Sequence, residues 1–373
     1  MTEPPAALRQ ALLPGEEIRW HGRPAATEGM GWGIGLSLFG ILWTVLVARA
    51  PTDRAIFINN VPIDDPATRL AAWILFLVVG IAMSCALPVL MMVFRRTTYA
   101  VTDRRVLELM RLPVIGSLHS YLPARIWGTE RADKRGAEAA GQLDILRRAP
   151  AGQRDGAGGA LVRFFAIQDD VAAQAAVHAL VAAPRPTMRG AAGPAPDLQA
   201  LFAPTLRPGE ALLWAAQPDR ARYAWATLVP SVLILFFFSP VFVAVLHDQF
   251  NDPIAIGYGA FLLVAPGLAW RRASFTAYGV TTERVIVLDR RPARSIRTTW
   301  PLAAIESIER TWPLAGTGSL AVRHMRDRDA EGHPARLVLR ALPDAAAAEA
   351  ALLVALDGPR RDEAARSRQD APA

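Results

Sequence analysis

Few residues in this chain have the types and spacing for chemistry. His324 and His333, with Asp327, Asp329 and Glu331 between them, place two imidazoles and three carboxylates in one short stretch. A divalent metal accepts such donors, but the spacing follows no ligand pattern and "RDRDAEGHP" reads as a solvated loop. The chain has no Gly-x-Ser-x-Gly elbow, no phosphate-binding glycine loop ending in Lys-Ser or Lys-Thr, and no His-Glu-x-x-His pair. Cys85 is the only cysteine, which excludes an internal disulfide and a cysteine-rich metal site. The glycines of "GWGIGLSLFG" open an apolar run with no strand before it. Gly31 and Gly35 are therefore expected to allow close helix packing rather than to cradle a dinucleotide. No ionisable group falls in the middle of an apolar run, which argues against a proton-coupled transporter or an ion channel. The expectation is a protein that is not an enzyme and has no catalytic residue, metal or cofactor.

Arginine dominates the polar chemistry. The net charge is +7 and Lys134 is the only lysine. Arg105 and Arg284 admit two uses. Each can begin a strand, with its side chain snorkelling or paired with Asp103 or Glu283, or it can bind a lipid headgroup; the first is preferred. Arg95, Arg96, Arg271 and Arg272 directly follow apolar runs, where each arginine contributes up to about 1 kcal/mol at an anionic leaflet. A wider basic set comprises Arg131, Lys134 and Arg135, and Arg290, Arg291, Arg294 and Arg297. No aromatics interleave it for base stacking, so a membrane surface suits it better than nucleic acid.

The elements that must position these groups begin with four uncharged apolar runs: Gly31–Ala48, Ala71–Phe94, Tyr223–Leu246 and Ile254–Trp270. Each has about 17 to 24 residues, and a bilayer core needs about 20 in a helix. Trp32, Trp73, Trp225 and Trp270 lie near the ends, where interfacial aromatics belong. Arginine placement puts the two short loops outside and everything else in the cytoplasm. The N-terminus lacks the basic end and apolar core of a signal peptide and is expected to be retained.

The chain also repeats itself. "LLPGEEIRWHGRP" (Leu12–Pro24) returns as "LRPGEALLWAAQP" (Leu206–Pro218), each followed by a pair of apolar runs and then by alternating polar and apolar residues. "TTYAVT" and "RVLELM" read as a hairpin turning at Asp103 and Arg104; "TAYGVT" and "RVIVL" flank Thr282 and Glu283. Neither turn has the glycine or asparagine that tight hairpins favour. "YLPARI" (Tyr121–Ile126) answers to "WPLAAI" (Trp300–Ile305), and each copy closes with an Ala-rich amphipathic helix. Residues 1–30 read as an N-terminal cytoplasmic segment, 31–94 as the first membrane hairpin and 95–181 as the first strand domain. A linker at 182–205 and a repeated pre-membrane segment at 206–222 lead to the second hairpin, 223–270. The second strand domain is 271–357, with a disordered tail at 358–373.

Tyr-x-Val-Thr-x-x-Arg-Val behind an apolar run, at Tyr99, Thr102 and Arg105 and again at Tyr278, Thr281 and Arg284, resembles the bacterial pleckstrin-homology-like (PH-like) membrane proteins. The first copy departs from the family's Pro-Leu-x-x-Ile order at "YLPARI", which "WPLAAI" keeps. The resemblance implies an α+β membrane protein. Two transmembrane helical hairpins, four spans in all, would each carry a cytoplasmic PH-like β-sandwich capped by a C-terminal helix. The expected location is a bacterial inner membrane, and the expected partners are the bilayer and an unidentified protein. Binding of anionic lipid headgroups is the alternative role.

Overall fold

Each Pro-Gly-Glu segment leads into a strand that pairs with one lying beyond the apolar insertion. The computed structural model describes residues 3–24, 31–49, 56–58, 61–63, 66–112, 115–132, 141–148, 160–183, 193–226, 228, 264, 266–291, 294–313, 318–328 and 334–369. The chain divides into two units. One holds residues 1–25, 96–223 and 271–373; the other holds 26–95 and 224–270.

In the first unit both repeats are built alike. β1 (Ile18–Gly22), β4 (Thr97–Thr102), β5 (Val106–Arg111) and β6 (Ile115–Tyr121) pair antiparallel in that order. β7 (Ile126–Ala132), β8 (Gly141–Arg147) and β9 (Ala160–Ile167) form a three-stranded sheet, and helix α5 (Asp170–Ala182) closes the repeat. In the second repeat β10 (Leu212–Ala216), β11 (Thr276–Thr281), β12 (Arg284–Arg291) and β13 (Arg294–Pro301) form the four-stranded part. β14 (Ile305–Pro313), β15 (Gly318–Arg328) and β16 (Pro334–Leu342) form the three-stranded part, followed by helix α7 (Ala345–Gln369). Even the irregularities recur, since register shifts fall at Ile18/Trp20 and at Leu212/Trp214.

Two cores fill the repeats. Trp20, Tyr99, Val106, Tyr121, Phe164 and Val177 belong to the first; Trp214, Tyr278, Val285, Ile308, Leu320 and Leu352 belong to the second. On the other face of each four-stranded part lies a short helix. α1 (Ala6–Ala11) buries Leu8 on Leu107, Leu109 and Leu118, and α6 (Pro196–Phe202) buries Phe202 on Ile286 and Leu288. The alternation in "RVLELM" and "RVIVL" thus marks the face that receives a helix.

The repeats do not stand as two separate sandwiches. β6 pairs antiparallel with β14, from Tyr121↔Ser307 to Ile115↔Pro313, making one seven-stranded sheet in the order β1-β4-β5-β6-β14-β15-β16. The segments 1–30 and 206–222 supply β1 and β10, so they are integral to the sheets rather than leaders to the membrane. The expected disordered tail is helical to Gln369.

The second unit corrects the expectation of four membrane spans. Among the described residues a single helix, Ala72–Arg96, is long and apolar enough to cross a bilayer; Gly33–Arg49 is apolar but shorter. The third and fourth runs, Tyr223–Leu246 and Ile254–Trp270, fall largely outside the described residues. Hydropathy reports composition and not the unbroken length of helix, so the first run is apolar throughout yet gives a helix shorter than a span.

α2 (Gly31–Arg49) packs on α3 (Pro66–Ser84), and α4 (Ala86–Arg96) continues α3 past Cys85. Between them, β2 (Ile56–Ile58) and β3 (Val61–Ile63) make a small ribbon. Pro88 has no N–H to give the helix, and at the residue before it the Leu87 N–H donates to Ser37 Oγ of α2 at 2.8 Å. Trp43 Nε1 donates to Phe76 O at 3.0 Å and Trp73 Nε1 to Val47 O at 2.8 Å, tying the pair together. Close packing does not use Gly35, whose added Cβ would meet nothing within 4 Å. It uses Gly40, where a Cβ would lie 2.7 Å from the Met83 carbonyl carbon, and Gly80, where it would lie 2.7 Å from the Trp43 ring. Leu38, Leu42, Leu46, Val79 and Ile81 are exposed.

Candidate functional site

The recurring Pro-Gly-Glu and Thr-x-x-Arg motifs meet, and they do so in the same way twice. In Leu13-Pro14-Gly15-Glu16 the glycine has φ +71° and the Glu16 N–H donates to Leu13 O at 3.0 Å. Proline second and a left-handed glycine third is the pattern of a type II turn. The turn delivers the Glu16 carboxylate back onto the Leu13 N–H at 2.8 Å. Arg207-Pro208-Gly209-Glu210 repeats each feature, with φ +78° at Gly209 and both bonds in place.

Each glutamate then receives its arginine side-on, through Nε and Nη2. Arg105 Nε and Nη2 donate to Glu16 Oε1 and Oε2, both at 2.9 Å. Arg284 Nε and Nη2 donate to Glu210 at 2.9 and 2.8 Å. Such bidentate, charge-assisted pairs are the strong class of hydrogen bond. The motif threonines complete the figure. Thr102 Oγ1 donates to Glu16 at 2.8 Å and accepts from the N–H groups of Arg104 and Arg105; Thr281 does the same toward Glu210, Glu283 and Arg284. These hydroxyls satisfy the turn's backbone, which explains a tight reversal without glycine or asparagine.

The tyrosines are core residues. Tyr99 stacks on Phe164 at 4.5 Å, and Tyr278 accepts the Arg340 N–H at 3.3 Å. Burial pushes both phenols up to about 12, with the Glu108 charge adding to it at Tyr99. Asp103 and Glu283 are not the partners of the motif arginines. Asp103 accepts the Glu17 N–H and lies 3.7 Å from Arg104, while Glu283 lies 3.3 Å from Arg207. Arg105 is fully buried and Arg284 is 4% exposed, so neither is placed to greet a headgroup.

The two figures differ in one respect. Arg105 also donates from Nη1 to Glu349 of α7 and, at 2.9 Å, to Ser120 Oγ, whose hydroxyl donates to Glu349 at 2.6 Å. Arg310 closes the group from β14, with Nη1 3.0 Å from Glu349 and Nη2 donating to Ala11 O at 3.3 Å. This buried group of two arginines and two glutamates straddles the β6–β14 junction. Arg284 has one carboxylate and the Thr205 carbonyl instead. In the first repeat's closing helix the position matching Glu349, five residues after the N-cap aspartate, is Gln174.

A second polar group crosses the same junction. Glu108, His119, Glu309, Arg323 and Arg336 lie across β5, β6, β14, β15 and β16, with Arg336 2.8 Å and His119 3.8 Å from Glu309. Burial raises the Glu108 carboxyl and lowers the His119 imidazole. No sequence motif announces this strip, because the pairing of β6 with β14 creates it.

Among the basic residues, Arg95 and Arg96 are exposed at the end of α4, Arg271 and Arg272 are exposed in the helical residues 266–275, and Arg290 is exposed at the end of β12. The side chains of Arg291 and Arg294 lie outside the described residues. Arg131 is held 2.8 Å from Asp170, and Lys134 and Arg135 lie outside the described residues. The described residues contain no cluster of three or more metal-ligating side chains, and His333 is not among them.

No protein-family model, curated protein or solved structure matches the chain.

The paired carboxylates predict an acid response. Burial alone would raise Glu16, but the Arg105 charge and hydrogen bonds outweigh it and hold the carboxyl below its ordinary value. Burial likewise opposes the Arg284 bonds at Glu210, which bring it down to about 2. A carboxyl lowered on folding stabilises above its unfolded pKa, and that stabilisation drains away as pH falls through the folded value. Denaturant titrations should therefore show stability falling between about pH 4.5 and 2, by at most about 1.4 kcal/mol per pH unit for each such carboxylate. Glu210→Gln should flatten that dependence while lowering stability at neutral pH.

Proposed function

We propose that this chain is a membrane-attached, non-enzymatic scaffold of the bacterial inner membrane whose strand edges bind protein. The observation that carries this reading is the internal pairing of the motif arginines with Glu16 and Glu210, which turns the repeated motif into a device for holding sheets. Surfaces left for recognition are sheet edges, which take extended partners by strand addition. Attachment is supported by the apolar Ala72–Arg96 helix and the exposed leucines of α2. The twice-used Tyr-Val-Thr-Arg pattern supports kinship with the bacterial PH-like membrane proteins.

Two measurements test the proposal. Alkaline carbonate should leave the full chain with the membrane fraction; release into the supernatant would overturn attachment. Photo-crosslinking residues placed along β7, β13 and β16 in native membranes should trap protein at a defined edge, and capture of lipid alone would overturn the scaffold.

Exposure of Arg95, Arg96, Arg271, Arg272 and Arg290 favours a second reading, in which the chain binds anionic lipid. Reversing those charges should then weaken binding to phosphatidylserine vesicles in a salt-dependent way. Equal binding of the parent and reversed chains would end that reading.

A further inference from the structure

The β6–β14 junction can be made again between molecules. Each repeat brings one outer strand from its four-stranded part, β6 or β13, and one from its three-stranded part, β7 or β14. Inside the chain β6 of the first repeat pairs with β14 of the second. Among the described residues the counterpart pair, β13 and β7, is not made: β13 ends one sheet beside β12, and β7 ends another beside β8.

One chain cannot make that second junction, as the residue alternation across the seven-stranded sheet shows. Tyr121, Ser307 and Glu309 point to one face; Ser120, Ile308 and Arg310 point to the other. The first core uses the Tyr121 face, where β7–β9 lie, and the second uses the Ile308 face, where β11 and β12 lie. The sheets that carry β7 and β13 therefore sit on opposite sides of the joined sheet. The intrachain junction is head-to-tail, and a head-to-tail contact that does not close on itself propagates.

We propose that β13 of one molecule pairs antiparallel with β7 of another copy of this chain, in the register of β14 with β6, so that molecules join into open rows. The proposal rests on the scaffold reading and names the partner of one edge. Matching Tyr121–Ile126 to Trp300–Ile305 converts the observed Tyr121↔Ser307 and His119↔Glu309 into Trp300↔Gly128 and Thr298↔Glu130. Thr298 and Glu130 are both exposed. The intermolecular junction differs from the internal one at its ionic group, because Gln174 stands where Glu349 binds Arg105. A neutral amide facing Arg284 of the next molecule makes this junction the weaker and reversible one.

The test uses the full chain in lipid nanodiscs on a Cys85→Ala background. Glu130→Cys molecules mixed with Thr298→Cys molecules under mild oxidation should give a disulfide-linked heterodimer. A chain carrying both cysteines should give a ladder of multimers. Gln174→Glu should raise the yield by about tenfold at limiting concentration, as expected for one added ion pair of about 1.4 kcal/mol. Monomer alone from the doubly substituted chain, bridged internally or unbridged, overturns the proposal, provided thermal unfolding matches the parent. Capture of a different protein at Glu130 or Thr298 in native membranes also overturns it while leaving the scaffold reading intact; capture of lipid alone at every edge removes both.

Discussion

Arg105→Ala is expected to cost about 3–5 kcal/mol, the effect of breaking a buried ion pair by removing one partner. The loss takes the bidentate partner from buried Glu16 of the first repeat and leaves Glu349 of the second with Arg310 and Ser120 alone. Total stability of a domain is about 5–15 kcal/mol, so the variant should lose a large fraction of it and with it the firmness of the β6–β14 junction. Arg284→Ala should cost less, since it strands one carboxylate at a site that is not fully buried. Urea titrations of both variants check the order. A double-mutant cycle between Arg105 and Glu349 should give a coupling well above the 0.2–1 kcal/mol or so of an exposed pair. Substituting Arg105, Glu16 and Glu349 together with apolar residues of similar volume should recover much of the loss, because a well-packed apolar group avoids the desolvation cost.

Gly40→Ala is expected to separate α2 from α3. The new methyl would lie 2.7 Å from the Met83 carbonyl carbon and closer still to the Ser84 nitrogen, and both are main-chain atoms of the partner helix. Main chain cannot rotate away as a side chain can, so the helices must part, losing the Trp43–Phe76 and Leu87–Ser37 hydrogen bonds. Overpacking of this kind costs about 1–3 kcal/mol. Gly35→Ala is the control, with open space at that position and no expected loss. Thermal unfolding of the full chain in detergent, followed by tryptophan fluorescence, should separate the two variants.

What the sequence discloses follows the range over which each signal acts. Strand alternation and turn residues are local, and they placed the hairpins at Thr97–Met110 and Thr276–Leu288 and the closing helices. Repetition disclosed that the two halves are built from corresponding segments. The long-range partners were harder. Asp103 and Glu283 lie beside the motif arginines in sequence, yet Glu16 and Glu210 hold them from 89 and 74 residues away. A signal for this was present, because Pro-Gly-Glu and Thr-x-x-Arg both recur in step, and two motifs kept together in duplicate are candidates for contact. Nothing local could disclose Glu349 or the polar strip, because both depend on an edge pairing that joins one repeat to the other. Among the described residues the membrane count departs for another reason: apolar composition is legible residue by residue, whereas the unbroken length of the Gly33–Arg49 helix is not.

The tie between Arg105 and Glu349 also bears on the order in which the chain is made. The glutamate leaves the ribosome 244 residues after the arginine, a delay of roughly 12–50 s at elongation rates of about 5–20 residues per second. Throughout that interval the first repeat holds a cation whose second counter-ion has not yet been translated. Completion of the polypeptide is thereby registered in the interior of its earliest-made part, and a chain that ends before α7 lacks the second carboxylate of Arg105.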